Sequence, residues 1–353
     1  MNENQLYFAP MEGITGSIYR RAHHRIFGGV DRYYAPFIFT NPKGKISKKD
    51  LLEIAPEYNE GCRVVPQLLS NCAEDFIATA HTLKGLGYDE VNLNLGCPSS
   101  TVASKGRGSG FLGEKEALKA FLADIFEKTD MKISLKTRIG LNRADEFDDI
   151  LDIYEAFPVE MLIVHPRIRM DYYSGKPDME AFEKASARMP FPVCYNGDIF
   201  TAAAYGRVSE KYSDIRHWMI GRGLLSNPAL CREIRGGDCA SREELADYYH
   251  TMRDEYEVRL QGNKKVVFLM KEFWHYISWI LSEEDRQEID GLSFDVLLLV
   301  YLYFMQSFWK CSSHKDSADS QSLLFKFLCQ NQRELHTLHL IGKTFNILIG
   351  NNS

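Results

Sequence analysis

The chain has 353 residues, of which 45% are hydrophobic, 12% aromatic and 25% charged, and its formal net charge is −6. That length suffices for one large domain and a smaller one, and the composition excludes disordered and collagen-like classes. The mildly acidic balance excludes a protein coated in positive charge, yet leaves room for a local basic face.

Eight cysteines occur and none forms a Cys-x-x-Cys pair. A zinc site or disulfide framework is therefore not indicated, and reduced, cytoplasmic thiols are the natural expectation. Nothing near the N-terminus resembles a signal peptide, because polar residues precede Leu6 and a proline follows at position 10. Val296 to Met305 is unbroken apolar sequence, but ten residues are too few to cross a bilayer, so no membrane association is expected.

Eight short strand-like runs appear in order: Leu6 to Pro10, Tyr33 to Ile38, Val64 to Leu69, Glu90 to Gly96, Ile133 to Ile139, Met161 to His165, Pro192 to Asn196 and His217 to Gly221. Helical patterns separate most of them. Asn71, with Glu74 three residues on, reads as a helix cap, and Phe76, Ile77, Ala80 and Leu83 form the apolar stripe behind it. A second helix begins near Glu114, with Leu118, Phe121, Leu122 and Ile125 at helical spacing. After strand two a basic loop, Thr40 to Ser47, precedes a short helix from about Lys48.

The alternation predicts an α/β fold, a (β/α)8 TIM barrel over residues 1–235. The alternative is a doubly wound open sheet, but Ala9-Pro10-Met11-Glu12-Gly13 after the first strand is not the glycine fingerprint that sheet would carry. Gly236-Gly237-Asp238 reads as a linker to a smaller all-helical domain over 241–310, and 311–353 reads as an atypical, charge-poor tail.

In a barrel of this kind, chemistry lies at the C-terminal ends of the strands. Those ends carry Pro10 and Met11, Gln67, Asn92, Asn94 and Cys97, Lys136 and Arg138, His165 and Arg167, Asn196-Gly197-Asp198, and Gly221-Arg222-Gly223. Val91, Leu93 and Leu95 alternate with Asn92 and Asn94, a strand with one apolar and one polar face, and Gly96 and Pro98 end it around Cys97. Gly197 and Gly221 would let backbone N–H groups approach a phosphate, with Arg222 adding a charge-assisted bond. Lys136 inside a barrel mouth calls for an anionic or electron-rich partner such as a reduced flavin. His165 could bond a cofactor or satisfy a carbonyl of the core.

Together, Ala9-Pro10-Met11, Gln67, Asn92-x-Asn94-x-Gly96-Cys97-Pro98-Ser99, Lys136-x-Arg138, His165-x-Arg167, Asn196-Gly197-Asp198 and Gly221-Arg222-Gly223 resemble the tRNA-dihydrouridine synthases, in order over residues 6–234. The segment Ser104 to Gly110 is similar to the family's loop after its cysteine. The resemblance implies an FMN-dependent barrel, recharged by NADPH, with a helical domain that helps hold tRNA. It puts Pro10, Met11, Gln67, Lys136, His165, Asn196, Gly197, Asp198, Gly221 and Arg222 at flavin-binding positions, with Glu12 where the family commonly has alanine. It puts Cys97 at the catalytic position.

Saturating the uracil 5,6 bond needs a hydride at C6 and a proton at C5. A thiol stays protonated near neutral pH, so Cys97 reads as a general acid rather than a nucleophile. Asn92, Asn94 and Arg138 are candidates to hold the uracil's polar edge. Lys43, Lys45, Lys48, Lys49, Lys105, Arg107, Arg167, Arg169 and Lys176 are the candidate RNA contacts around the mouth, with Lys264, Lys265 and Lys271 continuing the track. No obligate protein partner is implied. The alternative is an FMN-dependent barrel oxidoreductase acting on a small molecule such as a free pyrimidine or an enone.

Overall fold

The computed structural model describes residues 4–260 together with residues 266, 269, 270 and 276. Most of 261–310, all of 311–353, and Lys264, Lys265 and Lys271 lie outside those residues.

The strands are β1 (Gln5–Phe8), β2 (Arg32–Tyr34 and Ile38–Phe39), β3 (Val64–Val65 and Gln67–Leu69), β4 (Glu90–Leu95), β5 (Lys132–Arg138), β6 (Leu162–His165), β7 (Val193–Tyr195) and β8 (His217–Ile220). Between them run α1 (Ser17–Ile26), α2 (Lys48–Ile54), α3 (Ala73–Gly85), α4 (Ser100–Ala103), α5 (Lys115–Lys128) and α6 (Glu146–Glu155). The series continues with α7 (Met179–Arg188), α8 (Ala202–Lys211), α9 (Arg222–Ser226), α10 (Leu230–Ile234) and α11 (Arg242–Leu260).

Every pairing is parallel, each strand lies beside its neighbours in sequence, and β8 returns to β1. The expected eight strands therefore close into a barrel. Strands two and three differ from expectation in being broken, because Pro36 and Pro66 have no N–H to give a ladder. Closure survives the breaks: the first halves of β2 and β3 pair with each other, and so do the second halves. The Ala35 N–H donates to the Val65 carbonyl at 3.0 Å, and the Pro66 carbonyl accepts from Asn92 at 2.9 Å.

Helices pack outside through the stripes read from sequence. Leu118, Phe121, Leu122 and Ile125 of α5 are buried, as are Phe76, Ala80 and Leu83 of α3, whereas Ile77, expected in that stripe, is half-buried and Thr79 turns inward in addition. Each of the buried leucine, isoleucine and phenylalanine side chains contributes about 1.5–3 kcal/mol of burial free energy. Asn71 does not cap α3, which starts at Ala73 after Cys72. Its side chain accepts from Arg107 Nε and donates to the Lys105 carbonyl, both at 3.0 Å, and so ties α3's entry to the loop after Cys97.

The barrel interior is divided. Tyr7, Ala9, Tyr34, Val65, Met161, Ile163, Cys194 and Met219 form an apolar cluster. Strands β3 to β5 supply a polar half instead: Gln67, Glu90, Asn92, Asn94 and Ser134 are all buried, with Asn92 level with Ser134 and Asn94 level with Lys136. Helix α11, the described part of the expected helical domain, packs on α1, where Tyr248 meets Tyr19, Phe27 and the buried His23 edge-on.

Candidate active site

Two adjoining cavities open at the C-terminal ends of the strands. The larger, of 230 Å³, is lined by Pro10, Met11, Glu12, Gln67, Asn94, Cys97, Lys136, Arg138, His165 and Tyr173, with Ile14, Pro36, Phe37 and Tyr276 at its sides. The smaller, of 60 Å³, is bounded by Asn196, Gly197, Asp198, Gly221 and Arg222. Pro10, Met11, Lys136, His165 and Tyr173 line both.

Cys97 is gripped by its backbone. Its N–H donates to Asn94 Oδ1 at 2.9 Å, and its carbonyl accepts from Ser109 N at 3.1 Å and Ser109 Oγ at 2.7 Å. Gly108, at φ +56°, lies so close that a Cβ there would sit 3.0 Å from Cys97 Cβ. The strand β4 and the glycine-rich loop thus hold one turn between them. Burial pushes the Cys97 thiol above its ordinary value and the Glu12 carboxylate adds to that, while the Ser99 N–H, Arg138 and Lys136 oppose it.

Lys136 carries a cation into the seam between the cavities. No hydrogen bond or ion pair reaches its ammonium among the described residues. Burial, followed by Arg138, brings its pKa down to about 8. An ammonium in such a place is stabilised by an electron-rich ligand against it.

His165 is neutral: burial holds it well below the usual range, and Arg138, Lys136, Arg167 and Arg222 push the same way. Arg167 Nη1 lies 3.3 Å from its Nε2 and can only donate, so the ring proton sits on Nδ1.

Several side chains take roles other than those expected. Asn92 is fully buried and reaches neither cavity; it donates to Ser134 Oγ at 3.0 Å and accepts from Gln67 Nε2 at 2.7 Å. Arg138 lines the Cys97 cavity, but its guanidinium donates to the carbonyls of Gly96, Ile168 and Tyr172 at 3.0, 2.8 and 2.6 Å. It therefore clasps the turn after β4 to the loop after β6 rather than reading a substrate edge. Arg167 is 1% exposed, too deep to meet an RNA phosphate, and forms a bidentate pair with Asp198 at 2.6 and 3.1 Å. Asp198 also accepts from Arg222 Nη2 at 2.5 Å. That carboxylate organises two guanidiniums and leaves the smaller cavity with a net positive wall.

The glycines there are needed for space. A Cβ on Gly197 would lie 2.0 Å from the Tyr195 hydroxyl, and one on Gly223 would lie 1.9 Å from the Ile199 carbonyl. Asn196 is held by its Nδ2 bond to the Met219 carbonyl at 2.8 Å.

Outside the cavities, Lys43, Lys45, Lys48, Lys49, Lys105 and Lys176 are exposed. Arg107 is half-buried over the Phe39 ring at 6.0 Å. Sequence reasoning missed Tyr173, whose ring stacks on His165 and lies under the guanidiniums of Arg138 and Arg222 at 5.6 and 4.7 Å. Its signal was the aromatic pair Tyr172-Tyr173 in a mouth loop otherwise scanned for basic residues. Tyr276 was missed because it lies in the helical region beyond the barrel.

A dihydrouridine synthase family model matches residues 7–289, most of the chain. The chain belongs to the dihydrouridine synthase family. Among relatives of that family, tRNA-dihydrouridine synthase B of Pasteurella multocida is 28% identical over 232 residues, covering 65% of this chain and 68% of that one. The same-named protein of Shewanella oneidensis is 25% identical over 299 residues, covering 81% and 89%. Among solved structures, a 2-naphthoyl-CoA reductase complex superposes with a TM-score of 0.50 at 12% identity. It covers 66% of this chain and 50% of that one, a likeness of fold alone. No described helix of this family member is long and apolar enough to cross a membrane.

Proposed function

We propose that this protein reduces uridine in tRNA to dihydrouridine, with FMN in the joined cavities and NADPH as the reductant. The observation that carries the reading is the meeting, in one cavity, of the Cys97 thiol and the Lys136 cation, which has no hydrogen-bond or ion-pair partner among the described residues.

The residues fit FMN. Lys136 and the neutral His165, with its Nδ1–H, would meet the electron-rich edge of the ring system, while Pro10, Met11 and Gln67 line its walls. Gly197, Gly221 and Arg222 bound the smaller cavity, where a phosphate would meet backbone N–H groups and net positive charge. When bound and reduced, FMN supplies the hydride that saturates the uracil 5,6 bond.

The chain's own part is proton supply and placement. Cys97 keeps its proton at neutral pH because burial disfavours the thiolate, and it delivers that proton to C5 of the uracil. Asn94 sets the Cys97 turn, and Arg138 joins that turn to the loop bearing Tyr173. The exposed lysines of the mouth, Lys43, Lys45 and Lys105 among them, face the RNA backbone of a flipped-out uridine. The free thiols among the described residues suit a cytoplasmic setting.

The test is direct. The purified protein should be yellow and should convert uridine to dihydrouridine in tRNA when NADPH is added. A yellow protein that reduces free pyrimidines or enones but not tRNA would overturn the substrate.

A further inference from the structure

A continuous relay of hydrogen bonds crosses the polar half of the barrel from its floor to Cys97. At the floor, Glu90 is 6% exposed and pairs with Arg32 Nη1 at 2.7 Å. Ser134 Oγ donates to Glu90 Oε1 at 2.8 Å, and Asn92 Nδ2 donates to Ser134 Oγ at 3.0 Å. Gln67 Nε2 donates to Asn92 Oδ1 at 2.7 Å, and Asn94 Nδ2 donates to Gln67 Oε1 at 2.8 Å. Asn94 Oδ1 then accepts the N–H groups of Gly96 and Cys97 at 3.0 and 2.9 Å.

The two ends of this relay have no freedom. A carboxylate paired with arginine only accepts, and a backbone N–H only donates. One hydroxyl and three amides lie between, each able to turn either way. Only one orientation satisfies both ends, and it is the one observed. Reversing any amide would set donor against donor in a buried strand layer.

The orientation has a consequence at the cavity. Gln67 and Asn94 both line it, and each spends its oxygen within the relay. What remains to Asn94, whose oxygen already accepts two N–H groups, is the second hydrogen of its amide nitrogen, and Gln67 keeps its second hydrogen beside one lone pair of its oxygen. The Asn94 side of the cavity wall is therefore donating, matched to a carbonyl of a heterocycle, and the Cys97 turn is fixed by the same ordering.

We infer that Glu90, acting through Ser134, is a positioning residue that sets the polarity of the Asn92–Gln67–Asn94 relay and thereby both the donating Asn94 side of the cavity wall and the placement of Cys97. The cofactor side of this inference rests on the function proposed above; the relay itself does not.

Glu90→Gln keeps volume and removes the obligatory acceptor, Ser134→Ala removes the next link, and Ser134→Thr restores a hydroxyl. Three readouts are compared on the full chain: amide hydrogen exchange at residues 96 and 97, the visible spectrum of bound FMN, and kcat against KM for tRNA. Each breaking variant should speed that exchange and lower kcat about tenfold with KM held, and should shift the flavin bands. The double variant should be no worse than Ser134→Ala, and Ser134→Thr should resemble the wild type. Additive losses, or a lowered Tm with exchange, spectrum and kcat unchanged, would overturn the inference. Should Glu90→Gln fail to fold, the Ser134→Ala and Ser134→Thr pair decides it. If the wild-type protein takes up no FMN, the functional reading falls while the exchange comparison still judges the relay.

Discussion

The side-chain oxygen of Asn94 accepts the backbone N–H of Cys97 at 2.9 Å, two turns of sequence logic meeting in one bond: the polar face of β4 holds the residue at which β4 ends. The bond fixes the thiol's backbone without touching the sulfur, so the proton remains available. Asn94→Ala leaves two N–H groups without their acceptor, and the turn should loosen. We expect kcat to fall by roughly 10²-fold with little change in tRNA affinity, since small misplacements of a reacting group cost that much. Steady-state kinetics on a purified variant check it.

A proton donor works in its protonated form, so rate should be flat on the acid side and decline as pH rises through the Cys97 value, which burial places above that of an ordinary thiol. A bell with an acid limb near neutrality would point to a general base instead. The pH profile of kcat, measured under saturating tRNA and NADPH, gives the answer.

Lys136 predicts a separate alkaline effect. Its ammonium loses a proton near pH 8 in the empty cavity, and the charged form is the one that attracts an electron-rich ring. FMN affinity should therefore fall as pH rises past about 8 and should lose that dependence in Lys136→Met. Fluorescence titration of the apoprotein with FMN, repeated across pH, measures both.

Asp198 is held between Arg167 and Arg222. Asp198→Asn strands the buried Arg167 charge, and removing one partner of a buried pair costs about 3–5 kcal/mol. Asp198 is itself 30% exposed, so the low end of that range is expected, visible as a lower urea midpoint. FMN binding should weaken in the same variant.

The rim and the buried arginines are distinguished by salt. Lys105→Ala should weaken tRNA binding and reduce the slope of log affinity against log salt by about one. Arg167→Lys should leave that slope unchanged, because the side chain never reaches the RNA. Binding curves at several salt concentrations check the contrast.

The barrel was legible because strand and helix periods alternate cleanly, and because β4 separates Leu93 from Asn94 residue by residue. The mouth was legible because polar side chains collect at the strand ends, although Arg138 and Arg167 hold loops and Asp198 there. What spacing could not reveal is depth. Asn92 and Asn94 are two residues apart on one face, yet only Asn94 lines the cavity, a difference of one layer along the barrel axis. Arg167 looked like a surface charge until Asp198, far along the chain, was placed beside it. The breaks at Pro36 and Pro66 were in plain view in the sequence, but that the ladder heals around them depends on partners from other strands. Tyr173 was hidden because a loop's approach to a cavity is decided by contacts, here with Arg138 and His165, that no local pattern encodes.

The central claim is that Cys97 delivers the proton in a flavin-dependent reduction of tRNA uridine. The most direct measurement is single-turnover formation of dihydrouridine, followed by mass spectrometry, in wild-type protein and in Cys97→Ala reduced anaerobically and mixed with tRNA. The account predicts that Cys97→Ala binds FMN and tRNA normally yet forms dihydrouridine at least 10²-fold more slowly, the usual scale of a general acid. An unchanged rate in that variant would contradict it.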